Sequence, residues 1–419
     1  MSARAVGLAV ACCALASPAA ASASTPWLTA WTAAQSEPGP ASSVVDSYQG
    51  TGGRTVRDVV RPTAGGGVLR VRLTNRFGTR PLTFDDVRVG LAAGAAGAAV
   101  APRSSVRATF RGRRRVTLGV GKSVVSDAVR RPVRFDQRLV VSLYSAGPTG
   151  RTTTSGALLH TNYLSAAGDH TAATSAAPFT TATNHWYFLA GVDVVPTLPS
   201  AGAIVAFGAS GTAGTGSTPD AGRAWAERLA KRLRARYPGV AMPVLNAGIP
   251  GNTLHESSPC FGQSGLERLR RDAFDQRGVR SIVFALGSND ITQPRQPHEG
   301  LFGPCDARRV ISANRLIALY RQVIRRAHAR GLKIYGTTLN GFKDFRYFTP
   351  VMEAERLKVN RWIRTSRAFD AVIDFNRATA DPSDPARIDP RLGAGDGVHP
   401  NDAGYAAMAR AIPLSLFRP

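Results

Sequence analysis

An apolar run followed by small residues reads Ala203-Ile204-Val205-Ala206-Phe207-Gly208-Ala209-Ser210-Gly211. Continuous apolar runs of this kind are typical of strands that are buried on both faces of a parallel sheet. Four more follow along the chain, at 242–246, 280–286, 332–337 and 371–375. The run therefore predicts the first strand of a parallel sheet. It places Ser210 beyond the carboxyl end of that strand, where such sheets bind their ligands.

Segments with helical periodicity separate these runs. The spacing of apolar residues predicts helices over Arg223–Arg236, Arg308–Arg330 and Val351–Ser366. Alternation of strands and helices indicates an α/β domain with a parallel sheet and right-handed crossovers. We expect this domain to span residues 200–419.

The sequence before the first run has a different pattern. Leu69, Val71 and Leu73 alternate with Arg70 and Arg72, which predicts a half-buried strand. Further short strands are predicted at 87–91, 105–110, 115–120, 138–144 and 186–194, with glycine and proline between them. Many short strands with turn residues favour an all-β, sandwich-like domain over residues 27–197.

The N-terminal residues have the pattern of a secretory signal peptide. Arg4 precedes an apolar run at 5–16, and Ala21-Ser22-Ala23 supplies small residues around a cleavage point. The run is shorter than the about 20 apolar residues that a membrane helix needs. We therefore predict that residues 1–23 are removed, and that the protein is secreted and extracellular without a transmembrane segment.

Export would bear on the cysteines. Cys12 and Cys13 lie in the predicted signal peptide, which leaves Cys260 and Cys305 in the mature chain. In an oxidising compartment two thiols most simply form one disulfide, and the alternative is a pair of free thiols. Neither cysteine has the C-x-x-C spacing of a zinc site.

The composition narrows the classes of protein. The 419 residues include 53 Lys and Arg against 28 Asp and Glu, for a net charge of +25. The arginines are scattered rather than gathered in one tract, so we expect no nucleic-acid partner. The densest basic spot consists of Arg111, Arg113, Arg114 and Arg115. It is most simply a solvated turn, and the alternative is a site for an anionic polymer.

Residues with useful chemistry follow the predicted strands. Ser210 comes after the first strand, Gly251 after the second and Asn289 after the third, while Asp396 and His399 stand near the C-terminus. A serine hydroxyl, a histidine that takes its proton and an aspartate that orients the imidazole can together perform acyl transfer. Backbone N–H groups and an asparagine amide can donate to an oxyanion.

Each of these residues also has a structural explanation. Ser210 could cap the following helix, His399 could be a surface histidine, and Asn289 could form an Asx-turn. Asp396 could cap the C-terminal helix, although Asn401 or Asp402 is better placed to do so. The sequence lacks a G-x-S-x-G elbow, a dinucleotide fingerprint and metal-ligand spacing, so we expect no cofactor and no metal.

The short motifs around Ser210, Gly251, Asn289 and His399, in this order, resemble the four sequence blocks of the SGNH (GDSL) hydrolase superfamily. The superfamily is named for the Ser, Gly, Asn and His of these blocks. The resemblance covers about residues 203–416. It implies a flavodoxin-like parallel five-stranded sheet flanked by helices, with Ser210 as nucleophile, His399 as base and Asp396 orienting the base. It also implies an oxyanion hole made by the N–H groups of Ser210 and Gly251 and the amide of Asn289. With its β-rich first half, the chain resembles secreted actinobacterial members.

The resemblance implies a secreted serine ester hydrolase of the lipase or esterase type. Its substrate would be a small ester, a lipid or an acylated carbohydrate, and we expect a monomer. One residue departs from the family pattern, because the first block usually reads G-D-S and here Ala209 replaces the aspartate. The alternative function is a weak or inactive hydrolase-fold protein that binds polysaccharide or anionic surfaces through its basic β-rich half.

Overall fold

The computed structural model describes residues 27–38, 49–156, 159–296 and 309–419. The first half of the described chain is built from antiparallel strands, as the alternating pattern predicts. In chain order they are β1 (Leu28–Thr32), β2 (Arg54–Val60), β3 (Gly66–Thr74), β4 (Leu82–Phe84), β5 (Asp86–Leu91), β6 (Val106–Arg107), β7 (Val116–Leu118), β8 (Ser123–Val125), β9 (Leu139–Tyr144), β10 (Thr154–Gly156), β11 (Asn162–Ala167), β12 (Thr181–Thr183), β13 (His185–Tyr187) and β14 (Leu189–Pro196).

Two larger sheets organise this half. One has four strands in the order β1-β14-β3-β8, and the other has six in the order β12-β11-β2-β9-β5-β6. In β3, Leu69, Val71 and Leu73 are buried, whereas Arg70 and Arg72 point the other way and pair with the buried carboxylate of Asp193. The predicted half-buried strand is therefore confirmed.

One predicted strand is divided in two. The pattern over 186–194 predicts a single strand, but the chain turns at Phe188, whose φ is +59°. This left-handed residue lets β13 pair with β10, while β14 joins the four-stranded sheet. The Phe188 ring is buried and lies edge-on to Phe84, with 5.5 Å between ring centroids. Burial of this ring offsets the cost of the unusual backbone conformation.

The second half contains the predicted parallel sheet. Its strands are β15 (Ala203–Gly208), β16 (Val244–Gly248), β17 (Val279–Ala285), β18 (Lys333–Thr337) and β19 (Ala371–Ile373). They lie in the order β16-β15-β17-β18-β19, and every neighbouring pair is parallel. Numbered within the sheet this is 2-1-3-4-5, the flavodoxin-like order, and it confirms the expected fold class.

Helices connect these strands and flank the sheet. In chain order they are α1 (Ser210–Ala213), α2 (Trp225–Arg236), α3 (Gly265–Leu269), α4 (Ser288–Thr292), α5 (Ala313–His328), α6 (Pro350–Thr365), α7 (Phe375–Thr379) and α8 (Asp402–Arg410). The three predicted long helices are α2, α5 and α6. Helix α5 begins later than predicted, because the side chain of Ser312 accepts the N–H of Arg315 and caps it.

The two halves share one hydrophobic core. A single cluster of buried residues runs from Leu28 in the first half to Phe369 in the second. The Thr63 hydroxyl donates to the Val244 carbonyl at 2.9 Å and accepts the Val244 N–H at 3.1 Å. The β-rich half therefore packs directly on the edge strand β16. The boundaries 27–197 and 200–419 stay predictions.

Candidate active site

Ser210 stands on a tight turn between strand and helix. It is the first residue of α1, directly after β15 and Ala209. A side-chain carbon at Gly208 would collide with the hydroxyl of Thr212, so this position needs glycine. The Ala209 carbonyl accepts the N–H groups of Thr212 and Ala213 at 3.0 and 2.9 Å. This turn presents the Ser210 side chain at the carboxyl edge of the sheet.

His399 and Asp396 complete a hydrogen-bonded chain with this serine. His399 Nε2 lies 2.7 Å from Ser210 Oγ, and His399 Nδ1 lies 2.5 Å from Asp396 Oδ2. The other carboxylate oxygen of Asp396 accepts the N–H groups of Val398 and His399 at 3.0 and 2.8 Å. With Nδ1–H donating to the carboxylate, Nε2 is free to accept the serine proton.

The electrostatics of Asp396 suit that role. Partial burial alone would raise the pKa of Asp396, but the hydrogen bond and charge of His399 and the two backbone N–H groups outweigh it and lower this pKa to about 2. The group is therefore a carboxylate throughout the neutral range. Asp396 does not cap the C-terminal helix, because the side chain of Asn401 accepts the N–H groups of Ala403 and Gly404 at its start.

Two of the three predicted oxyanion donors, Gly251 and Asn289, lie beyond the strands that flank β15. Gly251 follows β16 with φ +72°, and a side-chain carbon there would collide with the Phe261 ring. Asn289 lies in α4 beyond β17 and donates one amide hydrogen to the Asn252 carbonyl at 3.0 Å. An amide has two hydrogens, so the second can meet a ligand.

All the predicted catalytic residues line one cavity. Ser210, Gly251, Asn289, Asp396 and His399 surround a space of about 650 Å³. Much of its remaining wall is apolar and includes Phe261, Leu339, Phe342, Phe345 and Phe375. A cavity of this size and chemistry suits a small organic ligand.

Asp290 fixes the loop that carries Gly251. The sequence marks it only as the neighbour of Asn289. Its fully buried carboxylate accepts the N–H groups of Leu254 and His255 at 2.9 and 3.1 Å and lies 2.7 Å from Nδ1 of His255. It therefore joins helix α4 to the loop that follows β16.

Three supporting residues carry no signal in the sequence. Gln293 donates its amide to the Gly251 carbonyl at 2.6 Å. Tyr320 donates its hydroxyl to the Leu286 carbonyl at 2.5 Å, just before α4. Arg268 is buried beneath the site. No motif marks them, because most of their acceptors are backbone carbonyl groups that only folding brings close.

Other predicted features lie elsewhere or stay predictions. The signal peptide over residues 1–23 falls outside the described part of the chain, and so does Cys305. The disulfide between Cys260 and Cys305 therefore remains a prediction. In the basic spot, Arg114 pairs with Asp86 and Asp169, and Arg115 pairs with Asp85, as in a solvated, ion-paired turn.

The described residues contain neither a cluster of metal ligands nor a membrane-spanning helix. No group of three or more His, Cys, Asp or Glu side chains among them could hold a metal ion. None of the helices they form has the length and apolar character needed to cross a bilayer.

Fold and site together define an α/β domain with a flavodoxin-like sheet and a candidate Ser-His-Asp triad at its carboxyl edge. Residues 206–407 match the model of the GDSL-like Lipase/Acylhydrolase family. No curated protein matches the sequence.

Solved structures similar to the chain include three esterases or hydrolases. One is a variant of an acetyl xylan esterase from Geobacillus stearothermophilus, which is 19% identical to this chain with a TM-score of 0.39. The match covers 52% of this chain and 96% of the esterase. An α/β hydrolase from the metagenome of Lake Arreo gives the same four values. A GDSL-like lipase from Bacteroides thetaiotaomicron is 17% identical, covers 52% and 88%, and has a TM-score of 0.36.

Proposed function

We propose that this protein is a serine carboxylic ester hydrolase that works through an acyl-enzyme. The observation that carries the proposal is the chain of two hydrogen bonds from Ser210 through His399 to Asp396, at 2.7 and 2.5 Å. This arrangement has one efficient use, which is to move a proton from the hydroxyl to the imidazole as the serine oxygen attacks a carbonyl.

The reaction follows from the positions of these groups. Ser210 Oγ attacks the ester carbonyl carbon, and His399 Nε2 takes the proton. The N–H groups of Ser210 and Gly251 and the free amide hydrogen of Asn289 stabilise the negative oxygen. The imidazolium then gives its proton to the leaving alcohol as the carbon–oxygen bond breaks. Water activated by His399 hydrolyses the acyl-enzyme and restores the serine.

The size and lining of the cavity bear on the class of substrate. The cavity of about 650 Å³ is larger than an acetyl group requires, and aromatic side chains form much of its wall. We therefore propose esters with a sizeable acyl or alcohol part, such as acyl groups on lipids or polysaccharides. We also propose that the protein is exported, as its N-terminal sequence predicts.

Hydrolysis of p-nitrophenyl esters, from acetate to long acyl chains, tests the activity. Wild type should hydrolyse at least one of them, and Ser210→Ala should lose several orders of magnitude in kcat. Wild type without activity on esters of either lipids or sugars would favour the alternative, a hydrolase-fold protein that only binds a polymer.

A further inference from the structure

A completely buried arginine lies beneath the candidate site. Arg268, in the short helix α3, has no exposed surface. Its guanidinium donates from Nη2 to the Gly208 carbonyl at 2.8 Å, from Nη1 to the Ala247 carbonyl at 2.8 Å and from Nε to Asn252 Oδ1 at 2.9 Å. Its planar fork thus binds three acceptors from two strands and a loop.

These acceptors lie close in sequence to the nucleophile Ser210 and to the oxyanion donor Gly251. Gly208 ends β15, two residues before Ser210, and Ala247 lies in β16, four residues before Gly251. Asn252 follows Gly251, and its carbonyl accepts the amide hydrogen of Asn289 at 3.0 Å. A single guanidinium therefore connects the nucleophile turn with both oxyanion loops.

The position of this charge is costly, which argues for a specific role. Burial lowers the pKa of Arg268 to about 10, because the charged form is poorly solvated there. Among the described residues its one close carboxylate is that of Asp272, at 3.3 Å, and Asp272 also pairs with Arg271 at 2.6 Å. An apolar side chain would fill the site at lower cost, but it would remove one donor each from the Gly208 carbonyl, the Ala247 carbonyl and Asn252 Oδ1.

We infer that Arg268 is a positioning residue of the oxyanion hole, fixing the Gly251 and Asn289 donors relative to Ser210. It also holds the Gly208 carbonyl beside Ala209, where the family aspartate is missing. Arg268 touches no reacting atom in this arrangement. As far as catalysis is concerned, the inference rests on the proposed function.

The conservative variant Arg268→Lys tests this role. An ammonium keeps the charge but cannot reach three acceptors in one plane. We expect kcat on p-nitrophenyl acetate to fall about tenfold to a hundredfold, because small misplacement of catalytic groups has effects of that size. KM should change little, since substrate binding in the ground state does not depend on the oxyanion donors. In Arg268→Ala, millimolar guanidinium should restore part of kcat, and sodium chloride should not.

Arg57→Lys is the matched control. Arg57 is also fully buried, but it lies in β2 and donates to Ser142 and to the carbonyls of Ala98, His170 and Ala173. This variant should lose stability and keep kcat. Unchanged kcat in Arg268→Lys, or a loss no greater than the unfolded fraction, would overturn the inference.

Hydrogen–deuterium exchange separates this inference from the proposed function. In Arg268→Lys, exchange should rise in peptides covering 247–253 and 286–292, whether or not the wild type hydrolyses esters. Unchanged exchange in both peptides would overturn the positioning role on its own. Absence of Ser210-dependent hydrolysis in the wild type, with raised exchange in the variant, would instead overturn the proposed function and leave Arg268 as the residue that holds these loops.

Discussion

His399 Nε2 lies 2.7 Å from Ser210 Oγ, although 189 positions separate the two residues in the sequence. The contact joins the end of the first strand of the parallel sheet to the loop before the last helix. It forms because the chain crosses the sheet repeatedly and returns to the same edge. The proposed ester hydrolysis depends on the proton that can pass across this contact.

Asp396→Asn should remove most of the activity and leave the fold intact. The amide of asparagine can donate toward Nδ1 and so favour the wrong imidazole tautomer, a change that costs about four orders of magnitude in a comparable triad. Activity on p-nitrophenyl acetate and the melting temperature would be measured together. A variant with more than about a tenth of wild-type kcat would show that Asp396 does not orient the base.

Ala209→Asp, which restores the family residue, should keep kcat/KM within about tenfold of wild type. The turn does not depend on an aspartate, because Arg268 holds the Gly208 carbonyl and the start of α1 holds the Ala209 carbonyl. The measurement is kcat/KM on a short ester from pH 5 to 9. A greater loss at every pH would contradict this account of the turn, whereas an inert wild type with an active variant would identify a degenerate hydrolase.

Asp58→Asn should stabilise the protein at neutral and alkaline pH. Asp58 is fully buried in β2, accepts one N–H from Tyr187 at 3.2 Å, and its other oxygen has no partner among the described residues. Burial raises the pKa of Asp58 well above its ordinary 3.8, and the Tyr187 N–H only partly opposes this. The folded chain thus holds this proton more tightly than the unfolded chain does.

The pH dependence of this effect has a fixed sign. Stability associated with the Asp58 proton is complete below pH 3.8 and is lost as the pH rises through the raised pKa. Asparagine stays neutral, so the melting temperature of the variant at pH 8 should exceed that of wild type by about 1 °C per kcal/mol gained. The difference should shrink toward pH 3.5. A variant less stable than wild type at pH 8 would show that the carboxylate is accommodated.

Cys260 and Cys305 should be joined in the exported protein. Peptide mapping without reduction should find them in one cross-linked pair. Reduction should lower the melting temperature, because a disulfide typically stabilises a folded chain by about 2–4 kcal/mol. Recovery of both cysteines as alkylated thiols would refute the pairing. Cys260→Ser with Cys305→Ser is the variant to compare with the reduced wild type.

The sequence predicts the parts of this molecule that depend on local pattern. The buried runs predict all five parallel strands, because strands buried on both faces are apolar throughout. The blocks around Ser210, Gly251, Asn289 and His399 are recognisable because each is short and follows a strand. The sheet order then brings these motifs together at one edge, where they line the same cavity.

Features that depend on distant contacts could not be predicted in this way. The role of Arg268 requires carbonyl groups of two strands that the sequence does not show as neighbours. The turn at Phe188 is stable because Phe84, far away in the chain, covers its ring. Asp58 lies in a strand that the sequence pattern does not predict, and the N–H group that contacts its carboxylate belongs to Tyr187, 129 positions away.

Covalent labelling tests directly whether Ser210 is the nucleophile. A fluorophosphonate ester, which reacts with an activated serine, should add one adduct to the wild-type chain, and peptide mapping should place it on Ser210. Ser210→Ala should take up none, and His399→Ala should react far more slowly because the hydroxyl has lost its base. Labelling of another serine, or equal labelling of wild type and Ser210→Ala, would contradict the assignment of Ser210 as the nucleophile.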